Sequence, residues 1–155
     1  MFITKLNLDN KDEVVKYLIE VQNDFKPSLF ERIKNRSNVS SIERYAKKIL
    51  RNANVFVYKD IDKKEIIALI AIYTNDITNF EAYIPFLSVH VDWIGKGLAS
   101  RLLEHSIHTA KNNGMKIIKL RTWNSNSKAI ALYTKFGFKI NYIDELNVMF
   151  IKEIL

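Results

Sequence analysis

The sequence predicts an α/β fold: a mixed, mostly antiparallel sheet of about seven strands, flanked by about four to five helices. Two patterns carry this expectation. Between residues 55 and 91, three β-rich runs follow one another across short polar turns, as in an antiparallel meander. From residue 87 onward the order becomes strand, loop, helix, strand, helix, strand, and a crossover helix between two strands favours their parallel pairing. At 155 residues the chain suits one domain, residues 1–155.

Residues 2–8 alternate in character and read as the first strand. Asn10 then caps a helix, with Glu13 three residues on to answer it, and Val14, Leu18, Val21 and Phe25 form one apolar stripe. Pro27 breaks the chain. Ser28 with Glu31, and Ser40 with Glu43, give two further capping boxes, hence a short helix and a longer one in which Ile42, Ala46, Ile49 and Ala53 share a face. The first half of residues 26–54 is polar and irregular, which suits a flap over a cleft. Strands follow at residues 55–58, 65–73 and 81–91. Residues 97–113 read as a helix with Leu98, Leu102, Ser106 and Ala110 on one side, and Gly114 is placed to end it in a left-handed conformation. A strand at residues 115–123, a helix at 127–136 closed by Gly137, and strands at 139–143 and 147–154 complete the reading.

Composition narrows the function classes. Hydrophobic residues at 48% and charged residues at 26% are an ordinary globular balance. No apolar run approaches the roughly 20 residues of a membrane helix, and MFITKLNLDN lacks the basic start and apolar core of a signal peptide, so no membrane association and a cytoplasmic location are expected. The absence of Cys rules out disulfides, a thiol nucleophile and a thiolate zinc site; no metal is expected. The net charge of +7 accompanies abundant Lys, Ile and Asn, with Lys scattered rather than gathered in a stripe, which fits codon bias and argues against nucleic acid as a partner. The surplus would still attract a polyanionic small molecule.

The most informative stretch is LSVHVDWIGKGLASRLL, residues 87–103. A strand gives way to a loop carrying Gly95 and Gly97, and a helix begins at once. Two close-set glycines let backbone N–H groups approach a ligand with no Cβ in the way, while the helix start adds unpaired N–H groups and the positive end of its dipole. Together they suit a pyrophosphate. The stretch is neither a dinucleotide fingerprint, lacking the third Gly, nor a Walker loop, lacking the GK[ST] ending.

This stretch resembles motif A of the GNAT superfamily of acyl-CoA-dependent N-acetyltransferases, [Q/R]-x-x-G-x-[G/A] after an L-x-V strand. Leu87, Ser88 and Val89 match the strand, Gly97 the central glycine and Ala99 the final small residue; Ile94 stands where Gln or Arg is usual, and His90 and Val91 where many members have x-Pro. NSKAIALYTKFGF, residues 126–138, is similar to motif B, N-x-x-A-x-x-x-Y-x-x-x-G-F, at every fixed position. The two blocks stand in the family's order and at its separation. The first half of the chain matches only in its order of elements.

The resemblance implies that the strand bearing Leu87–Val89 and the next strand splay apart, with pantetheine between them like an extra strand. Residues 81–138 would form the acyl-CoA-binding core and 26–54 the acceptor side. Acetyl-CoA would lie against Leu87, Ser88, Val89 and Val91, against Ile94, Gly95, Lys96, Gly97, Leu98, Ala99 and Ser100 through their amides, and against Asn126, Ala129 and Tyr133. The Val89 N–H would polarise the thioester carbonyl and stabilise the oxyanion, and the Tyr133 hydroxyl would protonate the departing thiolate. Many members use a Glu on the strand before motif A as base; Tyr83 stands there instead, which leaves Glu81, two residues earlier on the same face, as the candidate and His90 as a weaker one. The acceptor is expected to be a small amine. Seven cations at 26–48 (Lys26, Arg32, Lys34, Arg36, Arg44, Lys47, Lys48) suggest that it is anionic, such as an amino-sugar nucleotide or an acidic amine, although a solvated helix surface explains them equally well. The remaining readings are a non-catalytic acyl-CoA-binding sensor and an acetyltransferase acting on aminoacyl-tRNA or protein amines. Dimers are common in the family, so a homodimer is compatible with the resemblance.

Overall fold

The computed structural model describes residues 1–22 and 41–154. Seven strands form one sheet in the order β1-β2-β3-β4-β5-β7-β6. They are β1 (Thr4–Leu6), β2 (Asn54–Lys59), β3 (Ile66–Tyr73), β4 (Glu81–Val89), β5 (Ile117–Trp123), β6 (Lys139–Ile143) and β7 (Asn147–Glu153). Four α-helices accompany them among the described residues: α1 (Lys11–Val21), α2 (Ile42–Asn52), α3 (Leu98–Asn112) and α4 (Ser127–Lys135). Phe25, Pro27 and the Ser28–Glu31 box lie outside the described residues. The chain falls into two compact units, Met1–Ala71 with Phe86–Leu102 and Ile72–Pro85 with Leu103–Leu155.

In the first unit β1 pairs antiparallel with β2, Thr4 opposite Val57 and Leu6 opposite Val55. The core joins Val14, Leu18 and Val21 of α1 to Ile42, Tyr45, Ala46 and Ile49 of α2, with Val55, Val57, Leu69 and Phe86 from the strands. The helical period expected for both stripes is therefore the one buried. The caps differ from expectation. Asn10 holds the N-cap position of α1 without a side-chain cap bond. Its Oδ1 instead accepts the Asn7 N–H at 3.0 Å, while Asn7 caps a short 3-10 turn over Leu8–Asn10 and so ends β1 early. Glu13 pairs with Lys59 of β2, 3.2 Å to Oε2, rather than answering Asn10. Ser41 caps α2, its hydroxyl accepting from Arg44 N, and Ser40 of the expected box lies outside the described residues. The extended backbone at Ser41 aims its side-chain oxygen at the first turn.

In the second unit the start of β4 runs parallel to β5, from Glu81 opposite Ile117 to Ile84 opposite Leu120, as the crossover helix predicts. Pro85 follows and has no N–H to add to a ladder. β5 pairs antiparallel with β7, and β7 with the edge strand β6, whose register shifts between Ile140 and Tyr142. Ile118, Leu120, Val148 and Phe150 point into the core, and Tyr133 of α4 lies against Phe150.

Candidate active site

The end of β4 positions the glycine loop. The N–H of His90 donates to Ile67 O of β3 at 2.8 Å. Successive N–H groups leave opposite edges of a strand, so that of Val89 points away from β3. The strand stops at Val89 rather than residue 91, because His90 Nδ1 accepts the Asp92 N–H at 3.2 Å and turns Val91–Trp93 into a 3-10 turn. That bond uses the Nδ1 lone pair of the neutral imidazole.

Gly95 and Gly97 then adopt φ of +87° and +79°, the left-handed region in which a side chain is strained. Apart from their chain neighbours, no described atom lies within 4 Å of where a Cβ would stand on either, so the space beside both is open. The Arg101 N–H donates to Gly97 O at 3.2 Å, the first bond of α3. The N–H groups of Leu98, Ala99 and Ser100 precede that bond and have no partner within the helix. Leu98 is buried and fixes the helix start; Val91, Ile94 and Lys96 are exposed, and Lys96 Nζ sits 6.0 Å from the Trp93 ring, the outer limit of a cation–π contact. Ile94 offers no polar side chain. Behind the strand, the buried Tyr17 of α1 places its hydroxyl 2.6 Å from Ser88 Oγ. Sequence reasoning did not single out Tyr17, because a contact 71 residues apart leaves no local signal.

The second unit holds Glu81, Asn126, Ala129 and Tyr133. Local chemistry explains the motif around α4. Asn126 Oδ1 accepts the Ala129 N–H at 3.2 Å and caps the helix, which leaves its Nδ2 group to donate to a ligand. At the other end the Phe138 N–H donates to Tyr133 O and the Gly137 N–H to Thr134 O, both at 3.0 Å. This is the Schellman arrangement, and it needs a residue at positive φ; Gly137 has +85°. The apolar contact that accompanies such a cap is Phe138 on Tyr133, with ring centroids 5.7 Å apart. Gly and Phe four and five residues after Tyr133 thus fix how that phenol leaves the helix. Tyr133 is 7% exposed, held between Phe138 and Phe150.

Glu81 Oε2 lies 3.2 Å from Lys119 Nζ. Eight residues of β4 separate it from Val89, about 26 Å of extended chain. Burial, and then the neighbouring Tyr83, raise the Tyr73 phenol above its ordinary value, so it stays protonated at neutral pH. Arg44, Lys47 and Lys48 are exposed on α2, with Lys47 Nζ 3.7 Å from Glu43, while Lys26, Arg32, Lys34 and Arg36 lie outside the described residues. Trp123, which sequence reasoning also passed over, has a buried Nε1 with no hydrogen-bond acceptor among the described residues. No group of three or more His, Asp or Glu side chains among them is placed to hold a metal ion, and no helix is long and apolar enough to cross a membrane.

Open space beside two glycines, helix-start amides with no partner within the helix, and a strand N–H turned away from β3 suit a thioester carried on a diphosphate. Residues 16–138 match the model of the acetyltransferase (GNAT) family. The chain belongs to that family. Enzymes of this family are acetyltransferases, acyltransferases by reaction class, and draw on acetyl-CoA. Over 76 residues, 49% of its length, the chain is 38% identical to mouse cysteine-rich protein 2-binding protein, and it spans 9% of that protein. Over 61 residues, 39% of the chain, it is 33% identical to N-alpha-acetyltransferase 30 of Schizosaccharomyces pombe, spanning 41% of it. The chain thus covers less than half the length of either relative. The PaiA N-acetyltransferase of Thermoplasma acidophilum, solved in complex with coenzyme A, shares its fold with a TM-score of 0.78 at 19% identity over 98% of both chains.

Proposed function

We propose that the acetyltransferase moves an acetyl group from acetyl-CoA directly to the primary amine of a small acceptor. The observation that carries this reading is the sequence of donors from Val89 to Ser100: a strand N–H turned away from β3, two glycines with open space beside them, and the helix-start amides that have no partner within the helix. Acetyl-CoA supplies the activated acyl group. The amides of residues 94–100 hold the diphosphate, with the α3 dipole adding to their attraction. Asn126 Nδ2 donates to the pantetheine. The Val89 N–H donates to the thioester carbonyl and stabilises the negative charge that grows on its oxygen as the amine attacks. As the carbon–sulfur bond breaks, the Tyr133 hydroxyl delivers its proton to the sulfur.

The acceptor ammonium must lose a proton before it can attack. Glu81, eight residues before Val89 and engaged by Lys119, is poorly placed to take it directly, so we assign that step to solvent water. A second reading, acetylation of a protein or peptide N-terminus, is favoured by the stretch shared with the fission-yeast N-alpha-acetyltransferase. One thiol-release assay over small amines and short peptides tests both. Release of free coenzyme A that depends on the amine supports transfer. Tight binding of coenzyme A with no release on any amine would instead make the protein a sensor module.

A further inference from the structure

In the first unit a hydrogen bond joins two hydroxyls, one on a helix and one on the strand that carries the candidate oxyanion donor. Tyr17 Oη of α1 lies 2.6 Å from Ser88 Oγ of β4. Tyr17 is 2% exposed, and its neighbours Val14, Leu18 and Val21 on α1 are fully buried, so the phenol is a fixed point. Along β4, Ala82, Ile84 and Phe86 are buried in alternation, and Ser88 is the next residue in that phase. Phe86 joins the core built by α1 and α2, its ring 6.5 Å from that of Tyr45. Shape alone would be served at the Ser88 position by Ala facing Phe. Two hydroxyls withdrawn from water gain little net stability from each other, but they add direction.

That direction bears on Val89. The peptide plane joining Ser88 to Val89 is rigid, and it carries the Val89 N–H. Where that N–H points is set by rotation about the bonds at Ser88 and Val89, on either side of the plane. On the far side the His90 N–H is tied to Ile67 O at 2.8 Å, which fixes the next plane. On the near side the Ser88 hydroxyl is tied to Tyr17. The plane is thus clamped at both ends, once through backbone and once through a side chain. A donor kept for a ligand cannot itself be tied to the protein, so its aim has to come from its neighbours.

We propose that Tyr17 is a positioning residue for acetyl transfer: through Ser88 it fixes the peptide plane that carries the Val89 N–H, and so aims that donor at the thioester carbonyl. This rests on the acetyl-transfer reading above and deepens it.

The test compares the full chain with Tyr17→Phe, Ser88→Ala and the double variant. Acetyl-CoA isotopically labelled at the acetyl carbonyl is bound without amine, and its carbonyl stretch is read by infrared difference spectroscopy. In the parent the band should lie below that of free acetyl-CoA in water, and in each variant it should move back up. Affinity for coenzyme A, which has no acetyl carbonyl, should be unchanged by calorimetry. A donor removed outright from such a site costs about 10²–10³ in rate, so one that has lost its aim should cost about tenfold in kcat. That loss is read on the amine of the thiol-release panel that the parent acetylates fastest, and KM for acetyl-CoA should hold. The double variant should be no slower than the slower single one, since both side chains act through one bond. It also leaves neither hydroxyl unmet, so it is the variant to read if a single change costs the fold. A parent band no lower than that of free acetyl-CoA, or a variant band that stays at the parent position, would overturn the proposal. A loss of coenzyme A affinity as large as the loss in kcat would also overturn it and leave Tyr17 a packing residue. A parent that binds acetyl-CoA yet releases no coenzyme A with any amine would sink the acetyl-transfer reading instead, while the carbonyl band still decides whether Tyr17 aims the donor.

Discussion

Replacing Tyr133 by Phe removes one oxygen and leaves the ring. That ring sits 5.7 Å from Phe138 and 5.8 Å from Phe150 and is 7% exposed, so both aromatic contacts survive the change. The stability cost is at most that of one hydrogen bond, about 0.5–1.5 kcal/mol. The catalytic cost differs in kind. A positioned general acid contributes about 10²–10⁴ in rate, or about 3–5 kcal/mol of barrier at 1.36 kcal/mol per tenfold. Tyr133→Ala would confuse the two effects, because removing a buried aromatic ring costs about 3–5 kcal/mol of stability by itself. Turnover by thiol release, coenzyme A affinity by calorimetry and stability by urea titration should therefore be measured on both variants. The Phe variant should bind coenzyme A normally, unfold near the parent midpoint and turn over at least a hundredfold more slowly. If its kcat stays within about threefold of the parent, Tyr133 is a packing residue and the acid lies elsewhere.

Gly97→Val should remove coenzyme A binding while costing only about 1–2 kcal/mol of stability, the strain of a side chain at φ +79° where nothing else is in its way; calorimetry with a parallel melt checks both halves. Ser41→Ala should lower stability by about 1 kcal/mol through loss of the α2 cap, whereas Asn10→Ala should not weaken a cap that α1 does not use; urea midpoints compare them. Asp144 is held below the ordinary carboxylate value first by the Leu146 N–H and then by the Asn147 N–H, with Asn147 Nδ2 and Arg121 adding to them. Its folded value is the lower one, so its contribution to the turn is fully present above the unfolded value near 3.8 and is lost as pH falls through the folded one. The stability gap between the parent and Asp144→Ala should therefore be open at pH 7 and narrow as pH falls below 3.8 and on through the folded value; a gap that stays unchanged in acid would contradict this.

What the sequence disclosed follows how local each cause is. The ends of α3 and α4 were legible because each turns on a glycine a fixed distance past the last helical residue. The run from Tyr133 to Phe138 encodes its own cap. The parallel pairing of β4 and β5 followed from the length of the connection between them. The early end of β4 was hidden, because it depends on His90 turning its ring nitrogen back on Asp92. The capping pair Asn7 and Asn10 was mistaken for Asn10 and Glu13, since both spacings fit the pattern and only the pairing of Glu13 with Lys59 of β2 decides between them. Tyr17 on Ser88, Lys119 on Glu81 and the shielded nitrogen of Trp123 are tertiary facts, and no window of sequence contains them.

The most direct test of the account follows the backbone amide resonances of Gly95 to Ser100 while coenzyme A, and separately pantetheine without its diphosphate, is titrated in. If this loop grips the diphosphate, those amides move strongly with coenzyme A and hardly at all with pantetheine. Coenzyme A that binds while they remain still would show that its phosphates are held elsewhere.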